Sequence, residues 1–533
     1  MFSGSPLLDG LRAALVEALD LSSKLYQATE EGWRPVRSLH PPRRYREANV
    51  WRAFSGAVER LAAGGAGPAV PLAASPQQVE PGTAWVATEP LGRAAGRVAG
   101  GVALALTQLP RFDPTFAALS YLWSGWLLGR EGARAAEQLL AQRSPDDLRY
   151  ARALRLAVGT LGTALSAQGK LAVLFQAPAT LYLESLLMAA ASAGLGPVHA
   201  WHGMLDDAPA ERFAVRRVEH HLVFARGASS LRGAAGREER AALVAARTAL
   251  GVLAARAEPV PFTALHGPIW DQLAREGLLG GGRDVAEGEA LRRRLAAAVG
   301  RGLEEEAGST LALWTRAGQA EEAVWWLAEP PDAVPASDRA EAAVRQALSG
   351  GEPVEETALC RQVLEALGGP LVPSWPLMRA CLEAYGRQVE PGQWVLGDAE
   401  PGAWRERVRA ALERLGRRLG YQVEGEPELQ WLEDAQAAYR FLLCETAETA
   451  RARAATLPET TRGVIVIPEP RVALWRHKLR VVPVWREALA REGWTFLREG
   501  ALGALEKGGD RARFEAALGL EEGRGEGQLS LFA

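Results

Sequence analysis

The chain has 533 residues, with 61 basic side chains against 64 acidic ones, a net charge of −3, and 48% apolar residues. This composition buries a sizeable core over two to four domains, excludes wholesale disorder, and leaves no polybasic excess to hold nucleic acid or anionic lipid through net charge. Three cysteines, Cys360, Cys381 and Cys444, without C-x-x-C spacing exclude a disulfide framework and a cysteine-built zinc site, and point to a reducing cytoplasm.

At the N-terminus no basic segment precedes an apolar one, and nowhere does an uncharged apolar run reach the roughly 18 residues of a membrane span, so neither secretion nor a membrane partner is expected. Apolar positions at helical spacing, among them Leu8, Leu11, Leu15 and Leu19, predict a helix within residues 7–30, and a second runs from Tyr45 to Leu61. After a Gly-, Ala- and Pro-rich loop (62–81), the run from Val98 to Leu106 reads as a buried strand that leaves the sheet at Thr107. Helices follow over 116–128 and 146–165, then a strand at Lys170–Phe175, a helix at Tyr182–Ser192, and strands at Val198–Met204 and His220–Phe224. Strands alternating with helices predict an α/β sheet with helical cover over residues 1–228.

Residues 229–392 are long Ala, Leu, Arg and Glu stretches broken at Pro and Gly, and read as an all-helical region in which Trp325 and Trp326 pack between helices. Residues 393–520 form a smaller α/β unit: a helix from Trp404 to Leu419, strands at Gln422–Val423, Tyr439–Leu443 and Gly463–Ile467, and a further helix and strand ending at Leu497. Residues 521–533 read as a flexible tail. Lysine stands only at positions 24, 170, 478 and 507 and asparagine only at Asn49, the bias of a high-GC bacterial genome; avoidance of asparagine fits a thermophile.

The strand exit reads Gln108, Leu109, Pro110, Arg111, Phe112, Asp113, followed by Phe116, Leu119, Ser120, Trp123, Trp126 and Leu127. It resembles the large adenine-specific DNA methylases of prokaryotic defence neighbourhoods, in which a strand ends in Asp-Pro-Pro-Tyr before a helix of this pattern. Val50, Trp51 and Phe54 resemble an upstream segment of that family, and Lys170–Trp201 with His221–Arg226 resemble its later sheet strands. The resemblance implies a methyltransferase-like, Rossmann-type sheet. It also implies a site where a carboxylate and a proline carbonyl accept the hydrogens of an extruded base's amine while the tyrosine stacks on the ring. Here Gln108 replaces the acid, Leu109 the first proline and Arg111 the tyrosine; Pro110 is retained, and Phe112 offers a ring one residue late. Phe2, Ser3 and Gly4 resemble the family's glycine-rich turn for S-adenosylmethionine, but Pro6 replaces its last glycine and no strand precedes it. The site is thus expected to be degenerate.

Other constellations read more plainly. His199 and His202 flank Trp201, but neighbouring His220 and His221 on one strand face opposite ways and cannot share a metal, so no metal site is expected. The helix carrying Arg405, Arg407, Arg409, Arg414, Arg417 and Arg418 offers contacts to phosphates, but its interleaved glutamates favour a solvated face. The last α/β unit has the element order of a restriction-endonuclease-like core. Asp434 stands as its acid, but Leu442, Leu443, Cys444 and Glu445 occupy the place of a Glu-x-Lys pair, so cleavage is not expected. Gln528, Leu529, Ser530, Leu531 and Phe532 resemble the pentapeptide by which bacterial polymerases and repair proteins bind the sliding clamp, with two apolar side chains for a pocket and a glutamine for a directional hydrogen bond.

The expected protein is cytoplasmic and built of a degenerate methylase-like α/β domain, a helical middle and a small, inactive α/β domain. The expected function is that of a non-catalytic, DNA-associated subunit of a phage-defence or DNA-modification assembly. Its partners are DNA, the sliding clamp and other defence proteins, and it carries no cofactor. The alternatives are an active S-adenosylmethionine-dependent DNA adenine methyltransferase and a protein scaffold without DNA.

Overall fold

A computed structural model describes residues 26–29, 32–35, 49–64, 70–87, 89–109, 147–177, 180–204, 218–227, 236–280, 284–307, 310–313, 324–329, 333–368, 371–397, 401–425, 429–443, 461–481 and 493–519, with isolated positions at 11–18, 121–131, 446, 450 and 489–490. The fold is mixed α/β. It divides into two compact parts, residues 1–102 with 109–153, and residues 103–108 with 154–533.

The first part holds an antiparallel hairpin of β1 (Tyr26–Thr29) and β2 (Gly32–Pro35), and helices α1 (Val50–Gly64) and α2 (Leu91–Arg97). The only asparagine in the chain starts α1: the Asn49 side chain accepts the Arg52 backbone N–H at 3.0 Å, satisfying a donor that the first turn leaves open. The Trp51 side chain on this helix is largely exposed.

The second part is built on a five-stranded sheet of order β11-β5-β6-β4-β3. Its strands are β3 (Val102–Gln108), β4 (Leu165–Ala177), β5 (Leu195–Met204), β6 (Val218–Arg226) and the short β11 (Leu371–Val372). Helices α3 (Asp147–Ala164) and α4 (Thr180–Ser192) precede and follow β4. Strands β4 and β5 are both antiparallel to β6, which lies between them, and are therefore parallel to each other, with α4 as the crossover that parallel strands require. The sheet is thus mixed, with β6 running antiparallel between two parallel strands. The run that ends in β3 departs from expectation. Val98–Gly101 is a turn, and β3 lies at the sheet edge with Leu104 and Leu106 exposed. Along β6, by contrast, burial alternates strictly, with Val218, His220, Leu222 and Phe224 inward. Leu183–Ala190 of α4 are buried without interruption, as expected of a helix enclosed on all sides.

Helix α5 (Arg237–Arg256) packs on both α6 (Phe262–Arg275) and α7 (Val285–Glu306), and α6 packs on β5. Two glycines set these distances. A Cβ on Gly302 would lie 2.3 Å from the Ala242 carbonyl oxygen, and one on Gly267 would lie 2.6 Å from the His202 ring. This middle region is not all-helical. A three-stranded antiparallel sheet joins β7 (Val260–Pro261), β8 (Leu311–Leu313) and β9 (Val324–Leu327), and Trp325 and Trp326 are strand residues. A four-residue run of valine, two tryptophans and leucine fits a buried pleat but is too short to show a period. Helices α8 (Ala336–Leu348), α9 (Glu356–Leu367) and α10 (Trp375–Tyr385) follow, with a second small sheet of β10 (Val354–Glu355), β13 (Gln393–Leu396) and β12 (Gly386–Glu390).

The last unit opens with α11 (Pro401–Arg418). Its sheet runs β14 (Gln422–Glu424), β15 (Leu429–Glu433), β16 (Gln436–Leu443), β17 (Arg462–Ile467), β18 (Trp494–Arg498), antiparallel through β16 and parallel beyond. Strand β15 is additional to the expected elements. Asp434 lies not on a strand but in the two-residue turn between β15 and β16, where it and Ala435 take φ of 50° and 63°, the left-handed pair that a tight hairpin demands. Trp431, Phe441, Val464, Leu497 and Phe514 form the core under α11. Helices α12 (Val472–Val481), α13 (Glu499–Glu506) and α14 (Arg511–Ala516) complete the unit.

Candidate functional site

The outward face of β5 and β6 carries a cluster in which exposed aromatic and polar side chains converge on an open cleft. Period-two alternation that turns His220 inward turns Glu219 and His221 outward. Across the ladder Trp201 is paired with His221, and Gly203 with Glu219. The His221 Nε2 lies 3.5 Å from the Glu219 Oε1, the spacing of a weak, partly exposed ion pair when the imidazole is protonated.

Val372 of the adjoining strand β11 borders this floor, and Cys360 and Leu364 of α9 with Trp375 and Met378 of α10 complete the lining, enclosing about 230 Å³. The roof follows from local sequence. Ser374 caps α10 by accepting the Leu377 N–H at 3.3 Å and Pro376 fits its first turn, so Trp375 is fixed at the first helical position over the cleft. Trp201 and Trp375 are 50% and 49% exposed, which makes both indoles available to a ligand. Burial, with Glu356 and Glu355 adding to it, pushes the Cys360 thiol up to about 11, so it is protonated at neutral pH and is no nucleophile. The lining is apolar except at the Glu219–His221 edge, an arrangement for holding a flat ring.

The opposite face of the same strands is sealed. His202 and His220, paired across β5 and β6, bring their Nδ1 atoms to 2.8 Å, and Phe175 stacks on His220. Beyond them His266 Nε2 meets Glu184 at 2.8 Å, and Arg292 binds both Glu184 and Glu289. Burial, with the neighbouring His266, pulls His202 down to about 3, and burial with His202 holds His220 well below the usual histidine range. The pair is therefore neutral, one ring donating to the other, and serves packing. Among the described residues no group of three or more His, Cys, Asp or Glu side chains is placed to hold a metal ion.

Of the residues singled out from sequence, Gln108 is the last residue of β3 and Leu109 follows it. Pro110, Arg111, Phe112, Phe2, Gly4 and the pentapeptide Gln528, Leu529, Ser530, Leu531 and Phe532 lie outside the described residues, as do Cys444 and Glu445. His199 is exposed on β5, while His202 is buried against His220, so the two histidines flanking Trp201 do not converge. The arginines of α11 are engaged within the unit: Arg407 with Glu499 at 3.2 Å, Arg414 with Glu506 at 2.7 Å, and Arg409 with the Gly425 carbonyl at 2.7 Å. Sequence reasoning missed the cleft itself. The usable signal was the outward set Glu219, His221 on an alternating strand beside a tryptophan; its partner Trp375 comes from a distant helix that no local pattern connects to it.

No described helix is long and apolar enough to cross a membrane. Comparison of the chain with protein-family models, curated proteins and solved structures finds no match.

Proposed function

We propose that the protein is a non-catalytic, DNA-associated subunit that recognises single-stranded nucleic acid by taking an unpaired base between Trp201 and Trp375, and that it acts with other proteins of a phage-defence or DNA-modification assembly. The observation that carries the reading is the pair of half-exposed indoles on an open apolar cleft that has no activated nucleophile. Indole faces are stacking platforms for unpaired bases, each stacked base contributing about 1–3 kcal/mol. The resemblance to adenine-specific methylases adds support: the segments it assigns to later sheet strands, Lys170–Trp201 and His221–Arg226, fall in three adjacent strands of one sheet. The replacements at Gln108, Leu109 and Arg111 favour binding over methyl transfer, and the reading assigns no cofactor. The tail pentapeptide adds the sliding clamp as a partner.

The test is fluorescence anisotropy of a labelled single-stranded oligonucleotide. The double variant Trp201→Ala, Trp375→Ala is expected to bind at least tenfold more weakly than the wild type, since two stacking surfaces are lost. Both side chains are half-exposed, so circular dichroism should be unchanged. Absence of binding by the wild type, or equal binding by the variant, overturns the reading.

A further inference from the structure

We infer that the cleft selects guanine among the bases. This rests on the stacking reading above and adds to it the chemistry of the polar edge. Glu219 and His221, two residues apart on β6, share a face with Trp201, and the residue opposite Glu219 is Gly203. The missing side chain matters, because a Cβ on Gly203 would come within 3.2 Å of Val372 Cγ2 and fill the floor in front of the carboxylate. A ring lying against Trp201 would thus have Glu219 and His221, which line the same cleft, at its edge.

An ionised carboxylate only accepts, through two oxygens set side by side. Guanine alone offers two adjacent donors, N1–H and the 2-amino group, on its pairing edge, so it alone makes the bidentate, charge-assisted pair. Its next atom along that edge is the O6 acceptor, which suits a ring N–H of His221, the side chain 3.5 Å from Glu219. Adenine and cytosine each place an unprotonated ring nitrogen beside their single amino group, and that lone pair opposes the carboxylate. Thymine holds one N–H between two carbonyl oxygens and is opposed on both sides. The edge thus converts a stacking surface that tolerates any base into one with a preference, at the cost of no reacting group.

The experiment is anisotropy with an octamer of dT and with the same octamer carrying one central dG, dA or dC, a design that avoids the self-association of guanine runs. The dG octamer is expected to bind at least tenfold more tightly than the dT octamer, with dA and dC near dT, in keeping with the discrimination of a good bidentate pair. Glu219→Gln is expected to bring the dG-to-dT affinity ratio to about one, since a carboxamide presents one acceptor and one donor where guanine needs two acceptors. Equal wild-type binding to all four octamers, or a ratio unmoved by Glu219→Gln, overturns guanine selection and leaves the stacking reading standing. Binding to none of them overturns the stacking reading, and guanine selection with it.

Discussion

His202 and His221 show how one register assigns opposite chemistry to the same residue type. His221 faces the cleft and is free to meet a ligand, whereas His202 is fully buried, its Nε2 has no hydrogen-bond partner, and Gly267 leaves room for its ring beneath α6. Both His202 and its partner His220 are held below the ordinary histidine value of 6.5, first by burial and then by neighbouring histidines. The sign of the consequence is fixed. The folded chain keeps these rings neutral, while the unfolded chain protonates them below about pH 6.5, so stability is fully present above that value and is lost as pH falls towards the folded value of about 3 for His202. For His202 the loss by pH 5 is roughly 2 kcal/mol, and His220 contributes in the same direction. Urea unfolding at pH 7.5 and pH 5 should therefore show a markedly lower midpoint at pH 5, and His202→Asn or His220→Asn should flatten that dependence. A midpoint independent of pH across this interval would show that the pair does not titrate in this way.

Between elements, the most informative contact is one that a compositional bias already marked. Lys478 on α12 is one of four lysines in a chain that otherwise uses arginine, and it is 1% exposed, bound by Asp338 and Glu341 of α8. A compact ammonium fits between two carboxylates where a planar guanidinium fork does not. Burial opposes its charge, but Glu341 and Asp338 outweigh burial and hold its pKa above the usual lysine value. Tyr385 of α10 also donates to Glu341, and Leu474 of α12 joins the apolar core of α8, α9 and α10, so this triad and that core together join the middle helices to the C-terminal unit. Lys478→Met is expected to cost about 3–5 kcal/mol in urea unfolding, because it strands two buried carboxylates, and addition of Asp338→Asn and Glu341→Gln should return much of the loss. A single variant as stable as the wild type would show that the triad contributes little. Sequence alone could mark Lys478 as unusual but not as buried, since its partners lie far upstream. The same division holds for the elements. Strands with clean alternation or long apolar runs (β4, β5, β6, β17) and the helices α4 and α11 are legible because their periods are sustained. The strands β7 to β9 and β15 are not, because short runs carry no period and are fixed by neighbours that tertiary packing brings to them. The arginines of α11 face glutamates, but of three described ion pairs two, Arg407–Glu499 and Arg414–Glu506, reach α13, and one, Arg417–Glu413, stays within α11.

For the whole molecule, a net charge of −3 limits how DNA can be held. Phosphate neutralisation supplies most non-specific affinity in basic proteins, and α11, with six arginines, already spends several of its charges internally. A single base in one cleft therefore gives modest affinity, and the proposed clamp contact resolves the difficulty by tethering. A second site on a clamp that encircles DNA turns base capture into an intramolecular event, and avidity can rise by two or more orders of magnitude with no new contact at the cleft. In that proposal the Gly- and Glu-rich sequence 521–527 before Gln528 would supply the tether, and Leu531 and Phe532 would be the side chains offered to an apolar pocket of the clamp. Leu531→Ala with Phe532→Ala is expected to abolish co-elution with a bacterial sliding clamp and to reduce retention on clamp-loaded circular DNA carrying a single-stranded gap at least a hundredfold, while anisotropy with short single-stranded oligonucleotides stays at the wild-type value. The two readouts separate the two sites: loss of both would place the tail at the cleft, and unchanged clamp affinity would remove the clamp from the list of partners.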